Sequence, residues 1–236
     1  MGAGLYWLTQ RLADLPDNDA WLAANERMRF DSMQFPKRRN DWKLGRWTAK
    51  LAVCAAFSGN VIPLSDIEIC SSSDGAPRVL LEGRPGLVPI SISHSHEIGF
   101  CVIGRGDMNV GCDLEHVEPR AQDFLGDYLT QEEKSFLEQA PVEERPQTST
   151  LIWSAKESIL KILHEGLRRD TRSVVISVVW EEGRDPWTPW AGLCLESHRN
   201  FYGWWRVCGE YVQTVAADQA TPMPEELCGC RRRMMF

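Results

Sequence analysis

Two stretches of helical periodicity, each followed by a run of short strand-like segments, set the tightest limit on how this 236-residue chain can fold. Across residues 39–57, Leu44, Trp47, Leu51 and Cys54 recur every three or four positions, the spacing that lines one face of a helix. Ser58, Gly59 and Asn60 then supply a stop signal. Across residues 149–163, Ile152, Ala155, Ile159 and Ile162 repeat that spacing, with Glu157 and Lys161 on the polar face and Gly166 as the stop. Residues 67–70, 78–81, PISISHSH, IGFCVI and NVGCDLEHV follow the first helix, and SVVISVVW, AGLCLES, FYGWWRVCG and YVQTVAA follow the second. Their short alternating patterns, broken by SSSDGAP, GRPG and GRGD, predict antiparallel strands. Thr130-Gln131-Glu132-Glu133 opens a further helix through Ala140 as a capping box. The fold class is α+β, and the length admits one large domain or two small ones. No internal sequence repeat and no low-complexity segment is read.

Composition narrows the partners. A net charge of −7 argues against a general nucleic-acid binder, which needs a basic face. No stretch approaches the roughly 18 apolar residues of a spanning helix, and MGAGLYWLTQR has no basic segment followed by an apolar run. A cytoplasmic protein without a membrane partner is expected. The eight cysteines are irregularly spaced and read as reduced thiols, with Cys228 and Cys230 in a terminal CGCRRRMMF lacking a second pair for zinc. The ten tryptophans, Trp204 and Trp205 among them, read as sheet and core packing.

Three clusters can carry chemistry. Asp113 and Glu115 are two apart on a strand, so both carboxylates leave the same face. They can share one hard cation with substrate phosphates, or they can be two acids on a wet face. Glu157 and Lys161, one helical turn apart, fit an exposed ion pair, or a third carboxylate beside a phosphate-neutralising lysine. Lys37, Arg38, Arg39, Lys43, Arg46 and Lys50 form a basic segment whose last four residues make a helical stripe. That stripe suits an anionic ligand or a solvated helix face. Ser93-His94-Ser95 closes a strand where a hydroxyl, an imidazole and backbone donors can meet a phosphate, or where His94 is simply a satisfied loop histidine, and His96 reads as incidental.

Taken in order, SHS, GCDLE and WSAKESILK resemble the 4'-phosphopantetheinyl transferase superfamily, in its larger, monomeric type that activates peptide and polyketide synthases. That family carries a Gly-x-Asp-x-Glu strand and, about forty residues on, an aromatic-Ser/Thr/Cys-x-Lys-Glu-x-x-x-Lys helix. Here these are Gly111 to Glu115 and Trp153 to Lys161. The resemblance covers roughly residues 36–167 and leaves the last seventy or so to analogy.

The resemblance implies two similar α/β halves, 1–108 and 109–236, related by a pseudo-twofold axis, with coenzyme A between them. It implies transfer of the phosphopantetheine arm of coenzyme A to a serine of an apo acyl or peptidyl carrier protein, with release of 3',5'-ADP. Asp113, Glu115 and Glu157 would hold Mg2+, with Glu157 also the base. Lys161 and Lys156 would face phosphates, and Ser93, His94, Arg38, Arg39 and Arg46 would contact coenzyme A. One departure is Ala76, where the family often has lysine; Arg78 or the basic helix is expected to compensate. Rival readings are a magnesium-dependent diphosphate hydrolase and a non-catalytic relative that binds coenzyme A or a carrier protein.

Overall fold

The first helical period becomes the axis of an N-terminal unit in the computed structural model, which describes residues 4–56, 62–86, 88–178 and 187–227. Strand β1 (Gly4–Arg11) leads to helix α1 (Ala24–Asp31) and then to the long helix α2 (Pro36–Ala56). Strands β2 (Ile67–Ser71), β3 (Pro77–Leu81), β4 (Arg84–Pro85), β5 (Ile90–Ser95) and β6 (Ile98–Arg105) follow. Proline opens α2, where its missing N–H costs no helical bond. The expected apolar face is buried through Leu44, Trp47 and Leu51. The stop at Ser58-Gly59-Asn60 lies outside the described residues. Strands β1, β6 and β5 are antiparallel neighbours, and β2, β3 and β4 make a separate small sheet.

A second unit follows. Strand β7 (Val110–His116) is followed by α3 (Gln122–Tyr128), α4 (Gln131–Gln139) and the long α5 (Arg145–Leu163). Strands β8 (Val174–Val178), β9 (Thr188–Cys194), β10 (Arg199–Cys208) and β11 (Tyr211–Ala217) complete it. They form one antiparallel sheet in the order β7-β11-β10-β9-β8. In each unit the opening strand pairs with the closing one, and the long helix packs on both. The strand expected over SVVISVVW is described as far as Val178; its last two residues lie outside the described range.

The units divide at Asp107 and Met108, beside the GRGD turn. Residues 224–227 group with the first unit again, where β12 (Glu225–Glu226) pairs parallel to β1 and Leu227 N–H donates to Trp7 O. Among the described residues no helix is long and apolar enough to cross a membrane. All six described cysteines are free thiols; Cys228 and Cys230 lie outside the described range.

Helix α5 is not the half-exposed amphipathic helix that its periodicity suggests. It begins four residues earlier than expected, has Pro146 in its first turn, and buries thirteen residues spread all round its circumference, the pattern of a central helix. Trp190, Phe201, Trp205, Ile159 and Val212 pack in the same core, so Trp205 is a packing group as expected, whereas Trp204 is only half-buried and Tyr202 is exposed. Its end is capped by His164 in the left-handed conformation rather than by Gly166.

Candidate active site

The site is built on β7 by one residue without a side chain. A Cβ on Gly111 would stand 1.8 Å from the backbone oxygen of Ser158, so only glycine lets α5 cross the strand this closely. Alternation then aims Asp113 and Glu115 at the same helix. They therefore lie under α5 and not on a wet face: Asp113 is 4% exposed and Glu115 is half-buried. Hydroxyls lock the crossing. Ser154 and Ser158 each share a hydrogen bond with Thr214 Oγ1, at 2.9 and 2.8 Å, and Thr214 is the β11 register partner of Asp113.

Helix positions 153, 157 and 161, each one turn apart, meet the acids. Trp153 Nε1 donates to Glu115 Oε1 at 3.2 Å. Lys161 Nζ donates to Asp113 Oδ1 at 2.9 Å and to Cys112 O at 2.8 Å. Between them, Glu157 is half-buried, and its Oε1 is enclosed without a hydrogen-bond donor. Burial, with the charges of Asp113 and Glu115 added, pushes the Glu157 carboxyl up to about 7 against the pull of Lys161. Burial and Asp113 likewise raise Glu115, opposed by Arg120 and Trp153. The Lys161 pKa is raised too, for the opposite reason: burial would lower it, but Asp113 and then the neighbouring groups, Glu157 among them, more than reverse that, so it stays an ammonium.

These groups can hold a cation, accept a proton near neutral pH and present a fixed positive charge. The candidate ligands are all oxygens, one enclosed carboxylate oxygen lacks a donor, and burial together with like charges raises two of the acids. That chemistry fits a hard divalent ion that keeps several waters. Among the described residues no three His, Cys, Asp or Glu side chains stand together as a preformed metal site.

A family model for the 4'-phosphopantetheinyl transferase superfamily matches residues 109–216, the stretch that carries this site. A holo-[acyl-carrier-protein] synthase of Lactococcus lactis is 33% identical over 89 residues, covering 36% of this chain and 75% of that protein. The chain belongs to the 4'-phosphopantetheinyl transferase superfamily. The 4'-phosphopantetheinyl transferase HetI of a Nostoc species is 23% identical over 167 residues, 69% of this chain and 68% of its own length. A Streptococcus agalactiae holo-[acyl-carrier-protein] synthase is 37% identical over 76 residues, 31% of this chain and 64% of the synthase, so the chain covers under two thirds of that relative.

Within this phosphopantetheinyl transferase family member, four expected site residues meet in the second unit: Asp113, Glu115, Glu157 and Lys161. Lys156, expected to face phosphates, does not join them. It is fully buried, pairs with Glu133 at 2.9 Å and donates to the carbonyls of Thr171 and Val174. One residue of helix is about 100° of rotation, so Glu157 faces the acids while Lys156 enters the core. Its partner Glu133 is the capping-box acid of α4, and it also accepts from the backbone of Ile176.

The first unit holds the other candidates. The basic stripe of α2 is not a continuous solvated face, because Lys50 is fully buried against Glu26 and the carbonyls of Trp21 and Leu64. Lys43 pairs with Asp19. Arg39 Nη1 donates to Phe30 O and Met33 O, finishing α1, with its guanidinium over the Phe30 ring. Arg46 lies over Trp42, its pKa pushed down to about 10 by burial. Arg38 and His94 are exposed, and Ser93 is buried. His94 sits just before a two-residue hairpin turn formed by His96 and Glu97, both left-handed, and His96 Nδ1 meets the Ser95 hydroxyl at 3.0 Å.

Sequence reasoning passed over Arg120, which pairs with Glu115 at 2.9 Å, and over the Glu133 and Glu26 partners of the buried lysines. A signal for the lysines stands in the chain: Trp47-Thr48-Ala49-Lys50 and Trp153-Ser154-Ala155-Lys156 are one motif used twice.

Proposed function

We propose that the chain transfers the 4'-phosphopantetheine moiety of coenzyme A to a serine of an apo acyl or peptidyl carrier protein, releasing 3',5'-ADP. The observation that carries this reading is Glu157. Its enclosed oxygen without a donor, and a pKa of about 7, put a proton acceptor between Asp113, Glu115 and Lys161. In the reaction the serine oxygen bonds to the phosphorus that bears pantetheine as the bond to the bridging oxygen of the adenosine bisphosphate breaks. Glu157 takes the serine proton, and Lys161, fixed by Asp113 and the Cys112 carbonyl, offsets charge on the phosphates. Mg2+, held by Asp113, Glu115 and Glu157, would neutralise the diphosphate. Arg38, Arg46, Ser93 and His94 are the proposed coenzyme A contacts of the first unit.

Carrier proteins are acidic helical bundles, and a groove of about 540 Å3 in the second unit suits such a partner. Arg120, Lys134 and Arg145 outnumber the single acid Glu138 in its lining, together with Leu125, Leu137 and Val142. The duplicated buried Lys–Glu pair supports the two similar halves, 1–108 and 109–236, that the family resemblance implies.

The test is the intact mass of an apo carrier protein after incubation with the protein, coenzyme A and Mg2+, with an EDTA control. A gain of about 340 Da that EDTA abolishes is expected. Hydrolysed coenzyme A with no gain on fatty-acid, peptidyl or polyketide carriers overturns the transferase reading.

A further inference from the structure

Both oxygens of Glu115 are engaged, and by different kinds of donor. The Trp153 indole holds Oε1 at 3.2 Å, and Arg120 Nη2 holds Oε2 at 2.9 Å. Arg120 is itself secured: its side chain is 13% exposed, its Nη1 reaches Glu118 at 3.3 Å, and its guanidinium lies over the Phe124 ring. Phe124 in turn packs edge-on against Trp153, so Trp153, Arg120 and Phe124 form a chain of three side chains around one carboxylate. Asp113, two residues away on the same face, has its own cation in Lys161.

We infer that Arg120 is a built-in competitor of the divalent cation: its guanidinium holds Glu115 until a cation takes that carboxylate, and so sets how tightly the site binds metal. This rests on the proposed metal site. The physical reason is charge. A guanidinium at hydrogen-bond distance from a metal-ligating carboxylate occupies one of the oxygens the cation needs and repels the cation. Glu118 is placed to receive Arg120 when it lets go, since Nη1 already reaches it. A residue that merely braced the loop before α3 would leave metal affinity unchanged or weaken it when removed; a competitor strengthens it.

The experiment is direct binding of Mn2+ to the free full-length protein, with unbound Mn2+ counted by electron paramagnetic resonance. Arg120→Gln is expected to bind Mn2+ more tightly, on the order of tenfold, and Arg120→Lys, which keeps the charge, to stay near the wild type. Circular dichroism confirms that each variant is folded. If Arg120→Gln does not fold, the same comparison is made with Glu118→Gln, which removes the alternative partner of Arg120 and is expected to weaken binding. Wild-type binding with Arg120→Gln no tighter, or Glu118→Gln no weaker, overturns the competition while leaving the metal site intact. No Mn2+ bound by the wild type, and none by Arg120→Gln, overturns the metal-site reading and the competition with it.

Discussion

The two long helices of this protein share a motif and differ in what they do with it. In α2 and in α5 a lysine follows Trp-Thr/Ser-Ala and is fully buried against a glutamate. In both units that glutamate caps its own short helix and accepts a strand N–H 43 residues further on, Ile69 in one and Ile176 in the other. The duplicated pair ties helix, loop and sheet together. One residue after each lysine the units part: Leu51 sits in the apolar core, while Glu157 faces two acids. Five residues after each lysine stand Ala55 and Lys161. The same local motif thus supports packing in the first unit and the proposed acid–base chemistry in the second, because the framework lysine and the residue after it point in different directions.

The sharpest way to break this comparison is to change the divergent position. Glu157→Gln is expected to cut transfer about a hundred- to ten-thousand-fold with the fold retained, as removal of a general base does. Leu51→Gln is expected to cost about 2 kcal/mol or more of stability by burying an amide among apolar groups. Carrier mass and urea unfolding check the two, and Glu157→Gln with normal turnover would remove Glu157 from the site.

Lys50→Met and Lys156→Met should behave alike, each losing about 3–5 kcal/mol because a buried glutamate is left without its cation. Urea unfolding measures this. A Lys156→Met protein as stable as the wild type but inactive would return Lys156 to the phosphate-binding set.

A smaller effect separates the units by pH. The raised Glu157 pKa means the folded protein holds a proton that the unfolded chain releases between about 4.5 and about 7. Stability therefore falls as pH rises through that window, where the unfolded state binds fewer protons. Glu157→Gln is expected to flatten the decline in melting temperature across it, and Leu51→Gln to leave it unchanged.

The smallest expected effect concerns the hydroxyl lock between α5 and β11. Thr214→Val should cost about 1–2 kcal/mol by removing the shared partner of Ser154 and Ser158, and should lower transfer through the shifted crossing. An unchanged melting temperature would show that Gly111 alone sets the approach.

The amino-acid sequence by itself determined the α+β class, the two long helices, the strands after each, and the pairs Asp113/Glu115 and Glu157/Lys161; that the two pairs meet was implied by the family resemblance alone. Those features rest on local periodicity and on a spacing that places side chains on one face. Helices α1 and α3 and strand β1 were not legible, because short elements with weak apolar patterns are stabilised by what packs on them. Only the tertiary structure decided that Lys156 is buried rather than phosphate-facing, that Lys50 is buried rather than part of an open basic stripe, that Arg39 finishes a helix, and that Arg120 reaches Glu115. Each depends on a partner far along the chain or across a turn, and periodicity records which face a residue occupies, not what waits opposite it.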